Sequence, residues 1–392
     1  MQRSDNRILT THAGSLPRPD EVAALVRAKE KGAEVDRSYS SIIAEATSQV
    51  VQQELKVGLD VINDGEVAKS SWHDYLVNRV TGIEIRPRSN DLRRLRREGA
   101  EFPNFFRDNP AQEVIREQFV CVGPIEYTGH EAVKADIALL KAAADGTGYE
   151  DLFMSAMTPA ALGVDATFEV DGHREHTLEN EYYGSAEEMM FALGEALREE
   201  YEAIVEADLV LQLDDPALCK IWTANPDYDL PTYMREAEQA MEALNHALRN
   251  VPREQVRQHI CWGAGTGPHT DDIPLRTVVG LILKVKCGAY GVEGANPRHE
   301  HEWKVWQDVK LPDGTILIPG VVTPKTNIVE HPETVADRIV RYANVVGPEN
   351  VIAGTDCGLA DGRIHPELAW AKLRSLAEGA KLASQQLHLS RD

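Results

Sequence analysis

A chain of 392 residues is long enough for one large α/β barrel or two ordinary domains, and 43% apolar with 27% charged residues excludes disordered, collagen-like and disulfide-scaffold classes. The 41 Lys and Arg against 63 Asp and Glu leave a net charge of -22, which repels phosphate backbones and anionic lipid and argues against a nucleic-acid partner. No stretch approaches the ~20 consecutive apolar residues of a membrane helix, and the polar opening Met1-Gln2-Arg3-Ser4-Asp5-Asn6-Arg7 lacks a signal peptide's apolar core, so a cytoplasmic protein without membrane contact is expected.

In chain order, short β-branched runs alternate with amphipathic helical stretches, the pattern of repeated βα units. The strand candidates are 8–12, 60–64, 152–157, 208–213, 257–262, 289–293, 316–321 and 351–355. Eight is the number with which a TIM barrel closes, and a (β/α)8 barrel over 1–392 is the expected fold. Helices are expected over 40–57, stopped by Gly58, over about 130–145, and over 185–206, opened by a Ser185/Glu188 capping box. Pro332 and Pro366 mark the first turns of two more, 332–344 and 366–380. Residues 80–150 carry Pro87, Pro103, Pro110, Pro124 and an arginine run, and read as an insertion between strands two and three. That run, Arg86, Arg88, Arg93, Arg94, Arg96 and Arg97, suits a solvated helix face or a subunit contact, with an anionic co-substrate as the functional reading. His173 and His176 read as a surface hairpin turn, and the segment Asn296 to His301 as an exposed polar loop near the barrel mouth.

Polar residues collect at the ends of the predicted strands, where a barrel places its active site. Asp64-Gly65-Glu66 follows the second and Asp214-Asp215-Pro216 the fourth; Glu293 closes the sixth and Asp356-Cys357-Gly358 the eighth. In His259-Ile260-Cys261 on the fifth, residues two apart share a face, so an imidazole and a thiol are offered together. Cys357, with Glu293, would complete a mixed nitrogen, sulfur and oxygen site, for which zinc is the best match. Five scattered cysteines argue against a disulfide framework, and Cys121, Cys219 and Cys287 suit packing as small hydrophobes. Asp214-Asp215 before Pro216 also suits a helix-start turn.

These motifs, together with Thr10-Thr11-His12-Ala13-Gly14-Ser15-Leu16-Pro17 and Gly58-Leu59-Asp60, stand in the order found in the C-terminal barrel of cobalamin-independent methionine synthase. The chain resembles that family and its single-barrel relatives, which include epoxyalkane:coenzyme M transferase. The resemblance implies zinc held by His259, Cys261, Glu293 and Cys357, with Gly14 and Ser15 at the carboxylate of an amino-acid thiol and Glu66 and Asp214 at its ammonium. Three departures leave the alkyl donor open. Gly320-Val321-Val322-Thr323-Pro324-Lys325 lacks the family's proton-donating histidine, Lys220 stands where a folate-contacting glutamate is found, and Thr158-Pro159 to Asp165 lacks the folate-facing tryptophan.

The expected function is therefore zinc-dependent alkyl transfer to a thiol, most simply methyl transfer to a homocysteine-like thiol. An epoxide:thiol transferase is the alternative, and a non-catalytic small-molecule-binding barrel with structural or no zinc is the rival of another class. Partners are a small-molecule thiol and an alkyl donor, and a homo-oligomer is left open. His12, at the end of the first strand, is the expected proton donor, with a hydrogen-bonding role toward Glu66 or Asp214 as its alternative and Lys325, His331 or water as other proton sources.

Overall fold

The computed structural model of the chain describes residues 1–36, 38–69, 72–93, 97–108, 114–163, 168–170, 173–175, 178–263, 265–360 and 364–389. The barrel strands are β1 (Leu9–Thr10), β2 (Val61–Ile62), β3 (Asp151–Met157), β4 (Val210–Asp215), β5 (Val256–Ile260), β6 (Ala289–Val292), β7 (Ile316–Val322) and β8 (Ile352–Thr355). All lie parallel, in the order β1-β8-β7-β6-β5-β4-β3-β2. Between β1 and β2 no ladder runs; Asp60 N donates to Thr10 O at 3.2 Å and Thr11 Oγ1 to Val61 O at 2.9 Å. The fold is the expected TIM barrel.

Local chemistry sets the helix ends. Helix Tyr39–Val57 stops at Gly58, whose φ of 94° is left-handed. Helix Ala186–Glu206 is capped by Ser185, which accepts from Glu188 N at 3.1 Å, while Glu188 Oε2 reaches back to Gly184 N at 2.9 Å. Helices Pro332–Val346 and Pro366–Gln386 begin with proline in the first turn and are capped by His331 and His365. None of the described helices is long and apolar enough to cross a membrane.

Two excursions leave the barrel on its β2–β4 side. After β2 come helix Trp72–Val77, an antiparallel pair formed by Ile83–Arg93 and Val114–Cys121, and helix His130–Ala144. After β3 a second excursion contributes the antiparallel pair Phe168–Val170 with His173–Glu175, a hairpin where the sequence at His173 suggests one, and adds Leu178–Asn180 alongside Val114–Cys121. His176 lies outside the described residues. Of the arginine run, Arg86, Arg88 and Arg93 fall on strand Ile83–Arg93, not on a helix face, and Arg97 opens a short 3-10 turn, Arg97–Gly99. Arg86 pairs with Glu84 at 3.2 Å and Glu181 at 2.8 Å. Arg97 stacks on Trp222, 3.5 Å from the ring centroid, and donates to the carbonyls of Trp222, Asn225 and Tyr228. Arg94 and Arg96 lie outside the described residues.

Inside the barrel, Leu9, Ala289, Ile316, Ile318 and Ile352, with Val61, Phe153 and Val210, fill the layer at the strand starts. The next layer is polar. Arg257 lies flat over Phe153 at 3.5 Å and donates to Gln212 Oε1 at 2.8 Å, Thr11 Oγ1 at 3.0 Å and His12 O at 2.9 Å. A buried cation persists only with such a set of acceptors, and burial still lowers its pKa to about 9. This layer is the floor of the mouth.

The turn after β2 aims Glu66 across that floor. Asn63 Oδ1 accepts from Gly65 N at 2.7 Å and Asp64 Oδ1 from Glu66 N at 3.0 Å, and both Gly65 (φ 63°) and Glu66 (φ 57°) are left-handed. A Cβ on Gly65 would lie 2.5 Å from Val50 Cγ1. Gly65→Ala is expected to destabilise the chain by at least about 1–2 kcal/mol, the cost of a left-handed L-residue, read as a lower urea midpoint.

Candidate metal centre and substrate pocket

Strand register assembles the mouth. His259 on β5 sits opposite Asp214 on β4 and Gly291 on β6. A Cβ at Gly291 would meet His259 Nδ1 at 3.4 Å, so the imidazole lies over this glycine in van der Waals contact. Cys261 follows just past β5 on the same face, and Cys357 just past β8. The donor atoms of His259, Cys261 and Cys357 all lie within 4.8 Å of one another, and Cys357 Sγ donates to Cys261 Sγ at 3.9 Å. Tetrahedral zinc with Zn–S bonds of ~2.3 Å sets two sulfurs about 3.8 Å apart. His259 Nε2 is buried and has no hydrogen-bond partner among the described residues, as suits a nitrogen that binds a ligand. The three residues thus fit a zinc ion. Its hydrogen bond with Cys357, burial and the charges of Cys357 and Glu293 push the Cys261 thiol well above its ordinary range. None of the five cysteines forms a disulfide, and Cys219 and Cys287 are packed away as the sequence suggests.

Glu293, the fourth member of the implied set, stands beside this trio rather than in it. Its Oε1 accepts from Trp262 N at 2.8 Å, and its Oε2 from Asn296 Nδ2 at 2.9 Å and Lys325 Nζ at 2.7 Å. The Glu293 and Lys325 side chains are 0% and 7% exposed, so this is an interior ion pair.

The other expected site residues line the opposite side of the mouth. Gly14 has φ 119°, and a Cβ there would run into Glu66 Oε1 and lie 2.8 Å from Ser155 Oγ. Ser15 Oγ likewise occupies the space a side chain on Gly358 would need, and Leu359 N donates to Ser15 O at 2.8 Å. Asp214 Oδ1 accepts from Gln212 Nε2 at 3.0 Å. Burial, and then the neighbouring Glu66 carboxylate, push the Asp214 carboxyl well above the ordinary range. Strand alternation separates the two aspartates. Asp214 faces the mouth, while Asp215 accepts from Leu218 N at 3.3 Å and starts helix Ala217–Ala224.

His12 is buried behind β1. Its Nε2 meets Glu54 Oε1 of helix Tyr39–Val57 at 2.6 Å, and its Nδ1 accepts from Gly14 N at 3.2 Å. Both nitrogens are engaged, and neither partner is Glu66 or Asp214. Burial and the nearby Arg257 hold its pKa well below the ordinary histidine value.

Several residues of the mouth escape a sequence reading. Lys69 is buried, donates to Ser155 O at 2.7 Å and faces the rings of Trp72 and Tyr75 at 4.8 and 4.9 Å. His299 is no exposed loop residue. It is 2% exposed, stacks on Trp262 with centroids 4.4 Å apart, and bridges Glu302 at 2.8 Å and Asp272 at 2.9 Å. The available signal was position alone: Lys69 and Lys325 each follow a barrel strand by a few residues.

The family model for the cobalamin-independent synthase catalytic domain matches residues 8–98 and 180–382. The chain belongs to that family. Relatives named methionine synthase include one from Saccharolobus solfataricus, 25% identical over 382 residues and covering 96% of this chain and 95% of that protein. Another, from Thermococcus kodakarensis, is 23% identical, with 96% and 94% covered. Among solved structures, a B12-independent methionine synthase from Shewanella sp. W3-18-1 in complex with selenomethionine superposes with a TM-score of 0.68 at 18% identity, covering 97% of this chain and 99% of its own. A putative vitamin-B12 independent methionine synthase from Listeria monocytogenes gives 0.65 at 20% identity, covering 96% and 98%. These likenesses speak to the fold. The matched spans of the synthase family contain every residue of the metal cluster and of the Gly14, Glu66 and Asp214 pocket, and they omit β3.

Two outcomes follow from this geometry. Cys261→Ser and Cys357→Ser should each abolish stoichiometric zinc by metal analysis while leaving far-ultraviolet circular dichroism near wild type, since a barrel core of this size does not need one ion to fold. The His299 bridge should leave a pH signature. Burial opposes its charge, but Asp272 and Glu302 outweigh it and raise the pKa from 6.5 to about 9. A group raised on folding contributes stability fully below its unfolded value and loses it as pH rises through the folded one. The urea midpoint should therefore fall between pH 6.5 and 9.5, by up to about 3 kcal/mol in stability, and His299→Gln should flatten that dependence.

Proposed function

We propose that the chain is a zinc-dependent thiol methyltransferase that alkylates a homocysteine-like amino thiol. The observation that carries this is the joining, in one mouth, of a three-donor nitrogen and sulfur cluster with two buried carboxylates, Glu66 and Asp214. Three protein donors suit a catalytic ion with one position for substrate, whereas a structural ion takes four. That supports an enzyme over a binding barrel with structural zinc. The thiol, kept reduced, also favours the cytoplasm.

His259, Cys261 and Cys357 would hold the ion, which lowers the pKa of a bound thiol and supplies a thiolate at neutral pH. The remaining work belongs to the chain. Two acids facing each other in a buried site repel, which raises Asp214; an ammonium placed between them relieves the repulsion and gains charge-assisted hydrogen bonds. Gly14 and Ser15 would lie at the carboxylate, with the Ser15 hydroxyl as a donor, since Gly14 N is already given to His12 Nδ1. His12, bonded to Glu54 and to Gly14 N, is assigned the task of holding that backbone in place instead of donating the proton. The polar floor of Arg257, Gln212 and Thr11 fixes the carboxylates above it. Glu66 and Asp214 favour an amino-acid thiol over the sulfonated thiol of an epoxide transferase.

The test combines metal analysis with a screen of homocysteine and a sulfonated thiol against methyl donors and epoxides. Homocysteine consumption by zinc-loaded protein supports the reading; preference for the sulfonated thiol, or full activity without metal, would sink it. Asp214→Asn should raise the KM for homocysteine with little change in kcat, a loss of about 1.5–3 kcal/mol for a charged hydrogen bond. In wild type the KM should rise as pH falls through the elevated Asp214 value, because a protonated carboxyl no longer attracts an ammonium; the variant should lose that limb.

A further inference from the structure

Glu54 lies on helix Tyr39–Val57, is completely buried, and enters the reading above only as the partner of His12. Its Oε1 accepts hydrogen bonds from the ends of the two strands that no ladder joins: from His12 Nε2, past β1, at 2.6 Å, and from Asn63 N, past β2, at 3.2 Å. Each arm continues to one side of the pocket. His12 Nδ1 accepts from Gly14 N at 3.2 Å, and Asn63 Oδ1 accepts from Gly65 N at 2.7 Å in the turn that aims Glu66. The Thr10, Thr11 and Asp60 contacts cross the junction earlier along the strands, and Leu16 N crosses it further out by donating to Gly65 O at 3.0 Å. Between those two levels, His12 and Asn63 share one carboxyl oxygen.

The geometry points to Glu54 as a positioning residue that fixes the His12 proton on Nε2 and so holds the Gly14 backbone and the Glu66 turn in the register an amino-acid thiol requires. The inference rests on the proposed thiol pocket and deepens it. Burial and Arg257 keep the His12 pKa well below the ordinary value, so the ring carries a single proton. Gly14 N is a donor and can bond only a bare Nδ1, which puts that proton on Nε2 and makes Glu54 Oε1 its acceptor. The other tautomer would set two N–H groups against each other at Gly14. Phe153 packs edge-on against the imidazole, with ring centroids 5.3 Å apart, so the ring is held by packing as well as by its two hydrogen bonds. Burial also pushes the Glu54 carboxyl well above the ordinary range, which favours a plain hydrogen bond to His12 over an ion pair. Glu54 Oε2 makes no hydrogen bond among the described residues, so the pocket draws on one acceptor oxygen of this side chain.

The experiment separates the amino-acid end of a thiol from its sulfur. Homocysteine and propanethiol, which has the sulfur but neither ammonium nor carboxylate, are titrated against the visible spectrum of cobalt-substituted wild type, Glu54→Met and Glu54→Gln. Glu54→Met leaves the Nε2 proton without an acceptor and should weaken homocysteine about tenfold, the low end of the cost of an unsatisfied buried donor. Propanethiol affinity and metal stoichiometry should stay at wild-type values. Glu54→Gln keeps a carbonyl oxygen for His12 and Asn63 and should bind homocysteine within about threefold of wild type. In protein labelled with 15N-histidine, the signal that His12→Gln removes should report the Nε2–H tautomer. Unchanged homocysteine affinity in Glu54→Met would overturn the inference, as would equal weakening of both thiols, or Glu54→Gln as weak as Glu54→Met. An Nδ1–H or doubly protonated His12 in the wild type would overturn it without any Glu54 variant, which keeps the question open to measurement if Glu54→Met does not fold. Wild-type protein that takes up no stoichiometric metal, or binds propanethiol but no homocysteine, would instead count against the functional reading on which the inference stands.

Discussion

A carboxylate buried at the end of β6 has to find donors, and the donors it finds belong to neighbouring loops. Glu293 takes one each from the segments after β5, β6 and β7. Asp356, just past β8, accepts from Gly294 N at 2.8 Å and Ala295 N at 2.9 Å, so it clamps the backbone immediately after Glu293. Burial, and then Glu293 itself, raise the Asp356 carboxyl to about 6. Half of the mouth is thereby tied to one buried acid, and His259, Cys261 and Cys357 inherit their spacing from that knot. Trp262 extends it, since the residue whose amide holds Glu293 also stacks on the His299 ring.

The opposite half of the mouth rests on a different device. Arg257 and Gln212 occupy inward positions one turn of the pleat below His259 and Asp214, and together they join β1, β3, β4 and β5. An apolar core at that level would pack as well, but it would leave Asp214 without a hydrogen-bond donor beneath it and without a cation nearby. The polar floor stabilises the acids that face the mouth while remaining satisfied itself, as buried networks must. The tolerance of buried carboxylates at the mouth therefore originates in the layer beneath it.

Much of the scaffold was legible because both faces of a parallel strand are buried, which writes β-branched runs into the sequence at the helix-strand rhythm. The pairing of His259 with Cys261 was legible for the same reason that Asp214 and Asp215 could be separated: side chains alternate. Partners were not legible. His12 finds Glu54 at a sequence distance of 42, Lys325 finds Glu293 at 32, and His299 finds Asp272 at 27. Periodicity carries no information on which loops meet over a barrel mouth, so an imidazole bonded on both sides and an imidazole free to donate look alike in the sequence. The arginine run misled for a related reason, since charge density marks solvent contact without saying whether the backbone beneath it is helix or hairpin.

The unladdered junction between β1 and β2 has a consequence for how this pocket can change. Gly14 and Glu66, which belong to the two strands on either side of that junction, meet across it so closely that no side chain fits between them. Their separation is governed by Thr10, Thr11 and Asp60 contacts and by the turn after β2, with no continuous backbone ladder to resist adjustment. The gap between Gly14 and Glu66 can therefore be widened or narrowed by a few side-chain replacements while seven laddered junctions hold the barrel. Substrate identity and barrel integrity are mechanically separable in this chain.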